Sequence, residues 1–161
     1  MPNHFHFLIR INSISNISLR LVQEQQTSKS VLFTENKISY NDFLEDQFKR
    51  LFSSYALAFN KQENRTGSLF QKRFKRVSVN TESKLWHLLA YIHHNPIHHG
   101  FTKDFLTWKY SSYAALVSTK STLLSRTKVL EWFHEDLNQS VKAFKEYHRT
   151  FKLDNGIDYL E

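Results

Sequence analysis

The chain has 161 residues, 40% of them hydrophobic and 15% aromatic, which is enough for one globular domain with a core and argues against disorder. It contains no cysteine, which excludes disulfides and thiolate metal sites. The formal net charge of +7 favours a polyanionic partner, either nucleic acid or a lipid surface. Because the sequence has neither a long apolar stretch nor a signal-peptide layout, we expect a cytoplasmic protein that is not associated with a membrane.

The first predicted element is a β-strand in the opening stretch MPNHFHFLIRI. Strand side chains alternate between faces, so the large hydrophobic residues would share a core face: Phe5, Phe7, Ile9 and Ile11. His4 and His6 would lie on the opposite face, about 7 Å apart at Cα, where two imidazoles can share one cation. Taken alone, the triplet favours an ordinary strand end, because His-x-His arises often by chance.

A long helix is predicted after a polar connection. Residues 12 to 40 are rich in Ser, Asn, Gln and Thr, and we expect them to form a partly mobile loop. From Asn41, a candidate N-cap, hydrophobic residues recur at helical spacing up to about residue 62, and acidic residues occupy the first turn. The apolar stripe is more typical of a core than of a ligand site, and consists of Leu44, Phe48, Leu51, Phe52, Tyr55 and Phe59.

A basic segment follows this helix. After Gly67 the stretch SLFQKRFKRVSVN alternates well enough to predict a second strand. No acidic residue occurs in residues 64 to 81, whereas five cations do: Arg65, Lys72, Arg73, Lys75 and Arg76. A solvated strand edge protected by charge would have the same composition. The interleaved Phe70 and Phe74, together with the net charge, favour contact with phosphates.

The next helix is predicted over residues 82 to 95, with Pro96 as its stop. Tyr91 and Asn95 are four residues apart, so they share one helical face and could line the same cleft. Each also has an ordinary explanation, as a tyrosine at the border of a core and as a helix terminator. Beyond Gly100 we expect a loop and a short helix, then two helices near KVLEWF and LNQSVKAFKEYHRTF that form a cap.

Four blocks of the sequence together resemble the HUH-type single-tyrosine transposases, the IS-two-hundred-like and REP-associated tyrosine transposase group. They are PNHFHFLIRI, YALAFNKQENRTGSLFQKRFKR, YIHHNPIHHG and WKYSSY, and their order and spacing agree with the family across roughly residues 1 to 117. The resemblance implies an α+β fold with a ferredoxin-like antiparallel sheet. It also implies a catalytic domain over residues 1–118, without the strand, helix and strand that the family places first, and a helical cap over 119–161.

The resemblance further implies a metal-dependent strand transferase. A divalent cation, Mg²⁺ or Mn²⁺, would be held by His4, His6 and the amide oxygen of Asn95. Tyr91 would attack single-stranded or hairpin DNA and form a covalent 5′ phosphotyrosine. The basic residues from Arg65 to Arg76 would hold the DNA phosphates. The protein would be associated with the nucleoid and could act as a homodimer. The remaining histidines of this region are expected to contact solvent or phosphate: His87, His93, His94, His98 and His99.

Two alternatives to an active transposase remain open. The chain could be a truncated relic that keeps a basic DNA-binding surface without catalysis. It could also be a nucleic-acid-binding helical protein in which the histidines are incidental. With only two recognisable strands the sheet would be marginal without covering helices or a partner chain.

Overall fold

The computed structural model describes residues 5–23, 27–70 and 75–152, and these belong to two compact units. The α1–α3 unit covers Ile9–Phe74 and contains three helices: α1 (Ile14–Gln23), α2 (Ser28–Thr34) and α3 (Tyr40–Gln62). The α4–α7 unit combines Met1–Leu8 with Lys75–Glu161. Its helices are α4 (Glu82–His98), a 3₁₀ turn (Phe105–Thr107), α5 (Tyr113–Val117), α6 (Arg126–Leu130) and α7 (Leu137–Thr150).

The predicted α+β fold with a ferredoxin-like sheet is wrong, because the described residues form helices and contain no strand. Residues 5–13 and 75–80 are irregular, and residues 71–74 of the second predicted strand lie outside the described residues. The predicted core face of the opening stretch is exposed, with Phe7 66% accessible to solvent. Leu8, from the opposite face, packs against the core of the α4–α7 unit instead. Alternation alone does not make a strand, since each strand also needs a partner for its backbone hydrogen bonds.

The α1–α3 unit contains two helices where the sequence predicted a loop, so the expected connection over residues 12–40 is wrong. The polar residues of this segment cap helices. The backbone N–H of Ser30 donates to the hydroxyl of Thr27 (3.2 Å) at the start of α2. Ser39, two residues before the predicted Asn41, caps α3 by accepting from the N–H of Asp42 (3.1 Å). Ser, Thr and Asn suit both loops and caps, so their abundance did not exclude helices.

The two later helices of the α1–α3 unit pack through stacked aromatic rings. Phe33 of α2 lies 4.5 Å from Phe43 of α3 between ring centroids, at an interplanar angle of 19°. Phe43 is only 3% exposed, whereas Leu51, part of the predicted stripe, is 55% exposed. Lys29 and Asp46 add an ion pair at 3.5 Å. The long helix was predicted correctly, but its buried contact lies in its first turn.

The α4–α7 unit has a continuous hydrophobic core. Its buried members come from four helices: Leu89, Tyr113, Leu116, Leu130 and Phe144. The short helix and the two C-terminal helices were predicted correctly, and they pack in this unit with α4. The functional division at residue 118 stays a prediction.

α4 continues past its predicted stop, because Pro96 lies inside the helix and not after it. Proline lacks an N–H and therefore removes one hydrogen bond, a loss that the last turn of a helix tolerates better than its centre. The helix ends at His98 and is capped by His99, whose N–H donates to the carbonyl of Asn95 (3.1 Å); Gly100 follows with φ of 71°. None of the described helices is both long and apolar enough to cross a membrane.

Candidate active site

Tyr91 and Asn95 lie on α4, and both are buried. α4 begins at Thr81, whose hydroxyl accepts from the N–H of Lys84 (3.3 Å), and it runs without interruption through both residues. The side chains are one turn apart, about 40° around the axis. Tyr91 is 2% exposed and Asn95 is fully buried. The shared face predicted from their spacing is therefore present, and it is directed into the protein.

His6 lies beside Tyr91. The two ring centroids are 5.8 Å apart and the rings meet edge to face at 70°. The opening segment is irregular, so side-chain packing must hold it in place. Leu8, two residues after His6, supplies this packing by contacting the hydrophobic core of the unit. Three of the predicted site residues, His6, Tyr91 and Asn95, thus belong to one unit. His4, the fourth, lies outside the described residues.

The described residues of the predicted basic patch are divided between the two units. Arg65 belongs to the α1–α3 unit, where its guanidinium lies 5.8 Å from the centroid of the Phe59 ring and its Nη2 donates to the carbonyl of Ser68 (3.4 Å). Lys75 and Arg76 belong to the α4–α7 unit and are exposed in the irregular segment before α4. Lys72 and Arg73 lie outside the described residues.

The metal ligands predicted from the sequence are His4, His6 and Asn95. Among the described residues no three His, Asp or Glu side chains are close enough together to hold a metal. His6 and Asn95 remain chemically suitable, since imidazole nitrogen and amide oxygen are both ordinary ligands of divalent cations. His6 and Asn95 thus offer the nitrogen and oxygen donor atoms that a mixed site of the predicted kind needs.

The structure contains a second polar arrangement that the sequence did not reveal. His93 and His148 are buried, and Nδ1 of His93 lies 2.7 Å from Nε2 of His148. Nδ1 of His148 donates to the carbonyl of Phe144 (2.8 Å), so its Nε2 must accept the proton of His93 Nδ1. Nε2 of His93 is then left as the acceptor for the hydroxyl of Ser112 (2.8 Å). This chain of bonds, the histidine relay, joins α4, α7 and the N-terminus of α5.

Burial keeps both histidines of the relay neutral. Desolvation, with smaller contributions from the nearby His148 and His94, lowers the pKa of His93 to about 3. Desolvation also lowers the pKa of His148 to about 4, although its bond to the Phe144 carbonyl opposes the shift. Protonating either ring would place a charge in the core and break the donor order of the relay.

The expectation that His93 contacts solvent or phosphate is wrong, and a sequence signal for its burial exists. His93 follows Leu89 by four residues, and His148 follows Phe144 by four, so each continues a buried helical stripe. Such a position predicts a core histidine. On α4 the relay lies about 160° around the axis from Tyr91, so the helix carries two separate polar sites.

Comparison with known proteins identified one informative relative. A protein of Haemophilus influenzae (strain Rd KW20) named as a REP-associated tyrosine transposase is 26% identical to this chain over 116 residues. The match covers 70% of this chain and 54% of the relative, so the chain spans about half the length of the curated relative that it matches. No family model matches the chain. No solved structure matches it.

Proposed function

We propose that the protein is a transposase that cuts and rejoins single-stranded hairpin DNA through a 5′ phosphotyrosine at Tyr91. The single observation that carries the proposal is the contact between His6 and Tyr91, with ring centroids 5.8 Å apart. Asn95 lies one turn further along the same helix. Similarity to a protein named as a REP-associated tyrosine transposase supports the same reaction.

The proposed reaction is a phosphoryl transfer without hydrolysis. The phenolic oxygen of Tyr91 forms a bond to phosphorus as the bond between phosphorus and the 3′ oxygen breaks. The departing oxygen takes a proton and becomes a free 3′ hydroxyl, while the 5′ phosphate stays on the tyrosine. Because the number of phosphoester bonds is conserved, a second 3′ hydroxyl can later reverse the step and rejoin the strand.

A divalent cation, Mg²⁺ or Mn²⁺, would be bound by His6 and Asn95, with His4 as the third ligand. The ion would supply Lewis-acid polarisation of the scissile phosphate. Among the described residues, His6 is suited to position that phosphate against the Tyr91 ring. The rest of the DNA backbone is proposed to be held by five cations: Arg65, Lys72, Arg73, Lys75 and Arg76. Each phosphate contact should add about 0.7 to 0.9 to the magnitude of the slope of log K against log salt concentration.

Formation of a covalent adduct tests the proposal. A labelled hairpin oligonucleotide is incubated with the protein and Mn²⁺, then resolved under denaturing conditions. We expect an adduct with the wild type and its loss in Tyr91→Phe. Tyr113→Phe is the matched control, because it removes the hydroxyl of another buried tyrosine in the same unit and should keep the adduct. An adduct that persists in Tyr91→Phe would refute the assignment of the nucleophile.

A catalytically inactive DNA-binding protein is the second candidate, and the burial of Tyr91 favours it. A phenol that is 2% exposed cannot reach a phosphodiester in this conformation. Under this alternative the wild type and Tyr91→Phe bind a hairpin oligonucleotide equally and neither forms an adduct. Under the proposed activity only the wild type forms it.

A further inference from the structure

A line of aromatic rings follows the C-terminus of α4. It consists of His98, His99, Phe101, Trp108 and Tyr110. Successive ring centroids in this line are separated by 5.1, 6.4, 6.2 and 5.6 Å. The line, called here the ring platform, lies entirely in the α4–α7 unit and begins three residues after Asn95.

The ring platform presents its aromatic surface to solvent. Tyr110 is 72% exposed and Phe101 is 41% exposed, whereas Trp108 is half-buried. Phe101 and Trp108 are stacked, with 30° between their planes. Aromatic rings are normally buried in the core, where they are shielded from water. A group of them exposed together is therefore typical of a binding site.

Short-range hydrogen bonds fix the backbone beneath the rings. The N–H of Phe101 donates to the carbonyl of Pro96 (2.8 Å), which folds the chain back after α4. Asp104 caps the 3₁₀ turn by accepting from the N–H of Leu106 (2.9 Å). The hydroxyl of Thr107 donates to the carbonyl of Asp104 (2.8 Å) and holds the same turn closed. These bonds hold the backbone between Pro96 and Thr107, and a backbone fixed before binding lowers the entropic cost of binding.

Cations accompany the rings. Lys109 Nζ lies 4.7 Å from the centroid of the Tyr110 ring, and Lys103 is exposed on the segment between Phe101 and the 3₁₀ turn. Lys103 and Lys109 outnumber Asp104 in residues 101–110, so the net charge of this segment is positive. Alternating aromatic and cationic side chains are the combination that binds single strands, because each base offers a π-face and each linkage a negative charge.

We infer that the ring platform is a binding site for the unpaired bases of single-stranded DNA, which stack on Tyr110, Trp108 and Phe101. The choice of DNA over RNA rests on the proposed function. The stacking itself requires neither a bound metal nor strand cleavage, so it can be measured separately from the proposed reaction. The platform begins at His98, about 10 Å along the α4 axis from Tyr91.

Binding of (dT)₁₂ in the presence of EDTA tests the inference without any chemistry. Fluorescence anisotropy is compared for labelled (dT)₁₂ and for an abasic strand of equal length and charge. We expect the wild type to prefer (dT)₁₂. Tyr110→Ala should weaken (dT)₁₂ binding on the order of tenfold and leave the abasic strand unaffected, as expected for the loss of one stacked base. Tyr110→Phe keeps the ring and should retain binding.

Two controls separate stacking from other causes. Leu106→Ala removes an exposed hydrophobic side chain from the same segment without removing a ring, and should bind (dT)₁₂ like the wild type. Trp108→Phe should retain binding but lose most of the tryptophan quenching that (dT)₁₂ causes. Equal affinity of the wild type for the two strands, or of Tyr110→Ala and wild type for (dT)₁₂, would overturn the inference. Either result is independent of adduct formation, so it can be distinguished from failure of the proposed function.

Discussion

His93 and His148 form a direct hydrogen bond of 2.7 Å between two buried imidazoles, and its donor order requires both rings to be neutral. The bond joins α4, which carries Tyr91, to the C-terminal helix α7. The stability of the α4–α7 unit is therefore coupled to the protonation of two core side chains.

We expect the protein to lose stability between pH 7 and pH 5. The native pKa values of His93 and His148, about 3 and about 4, lie below the unfolded value of 6.5. Stability from the two neutral rings is fully present above pH 6.5 and decreases as pH falls, because only the unfolded chain then binds protons. The loss should be on the order of 2–4 kcal/mol by pH 5, measured by urea unfolding.

His148→Gln is the matched variant for this measurement. Glutamine can keep a hydrogen bond in the core but does not titrate, so the variant should lose about half of the pH dependence whatever its stability at pH 7. If the free energy of unfolding of His148→Gln differs between pH 7 and pH 5 by as much as that of the wild type, the histidine relay is not the source of the pH dependence.

The side chain of Arg126 binds the backbone of α5 and of the segment that follows it. Its Nη1 donates to the carbonyls of Ala115 (3.3 Å), Ser118 and Lys120 (2.8 Å). Arg126→Met keeps most of the side-chain volume but leaves these carbonyls without their charged donor, so we expect a loss of about 1.5–3 kcal/mol in the free energy of unfolding. Lys128→Met on the same helix removes an exposed charge and should change it by less than about 0.5 kcal/mol. Equal effects of the two variants would contradict the structural role of Arg126.

The core of the α1–α3 unit is tested by two residues of α3. Phe43 stacks on Phe33 and is buried, so Phe43→Ala should cost about 3–5 kcal/mol. Leu51 was predicted from helical spacing to be buried, but it is largely exposed, so Leu51→Ala should cost well under about 1 kcal/mol. Thermal unfolding of both variants measures the difference. The reverse order would support the face predicted from the sequence.

The contrast between Phe43 and Leu51 illustrates what the sequence could predict. Helical spacing identified α3, α4 and the C-terminal helices, because periodicity is a local property of the chain. Helical spacing did not identify the buried face of α3, since Phe43 and Leu51 are both apolar. Their difference in exposure depends on which of them α2 covers. The strand prediction failed for a related reason, because the opening segment alternates but no described segment pairs with it.

The candidate site was predictable to a similar extent. The four-residue spacing of Tyr91 and Asn95 places them on one face of any helix, and α4 is a helix. The contact of His6 with Tyr91 joins residues that are far apart in the sequence. It was expected only from the resemblance of this chain to a transposase family. The histidine relay was missed because a histidine is usually read as a surface residue, although its position four residues after a core leucine or phenylalanine indicates burial.

The role of His6 is tested by its removal. His6→Ala should lower the yield of the Mn²⁺-dependent adduct at least tenfold, because the proposed cation loses a ligand next to Tyr91. The urea unfolding midpoint should change little, since His6 is only half-buried. His134→Ala, a substitution in the C-terminal part of the same unit, should leave the adduct yield unchanged. If His6→Ala retains the wild-type yield, His6 is not part of the site.

Mass spectrometry of the protein after incubation with a hairpin oligonucleotide and Mn²⁺ tests the central claim most directly. The account predicts a nucleotide phosphate attached to the peptide that contains Tyr91, and an unmodified peptide when the metal is chelated. Attachment at any other tyrosine, or an unmodified Tyr91 in protein that binds the hairpin, would contradict it.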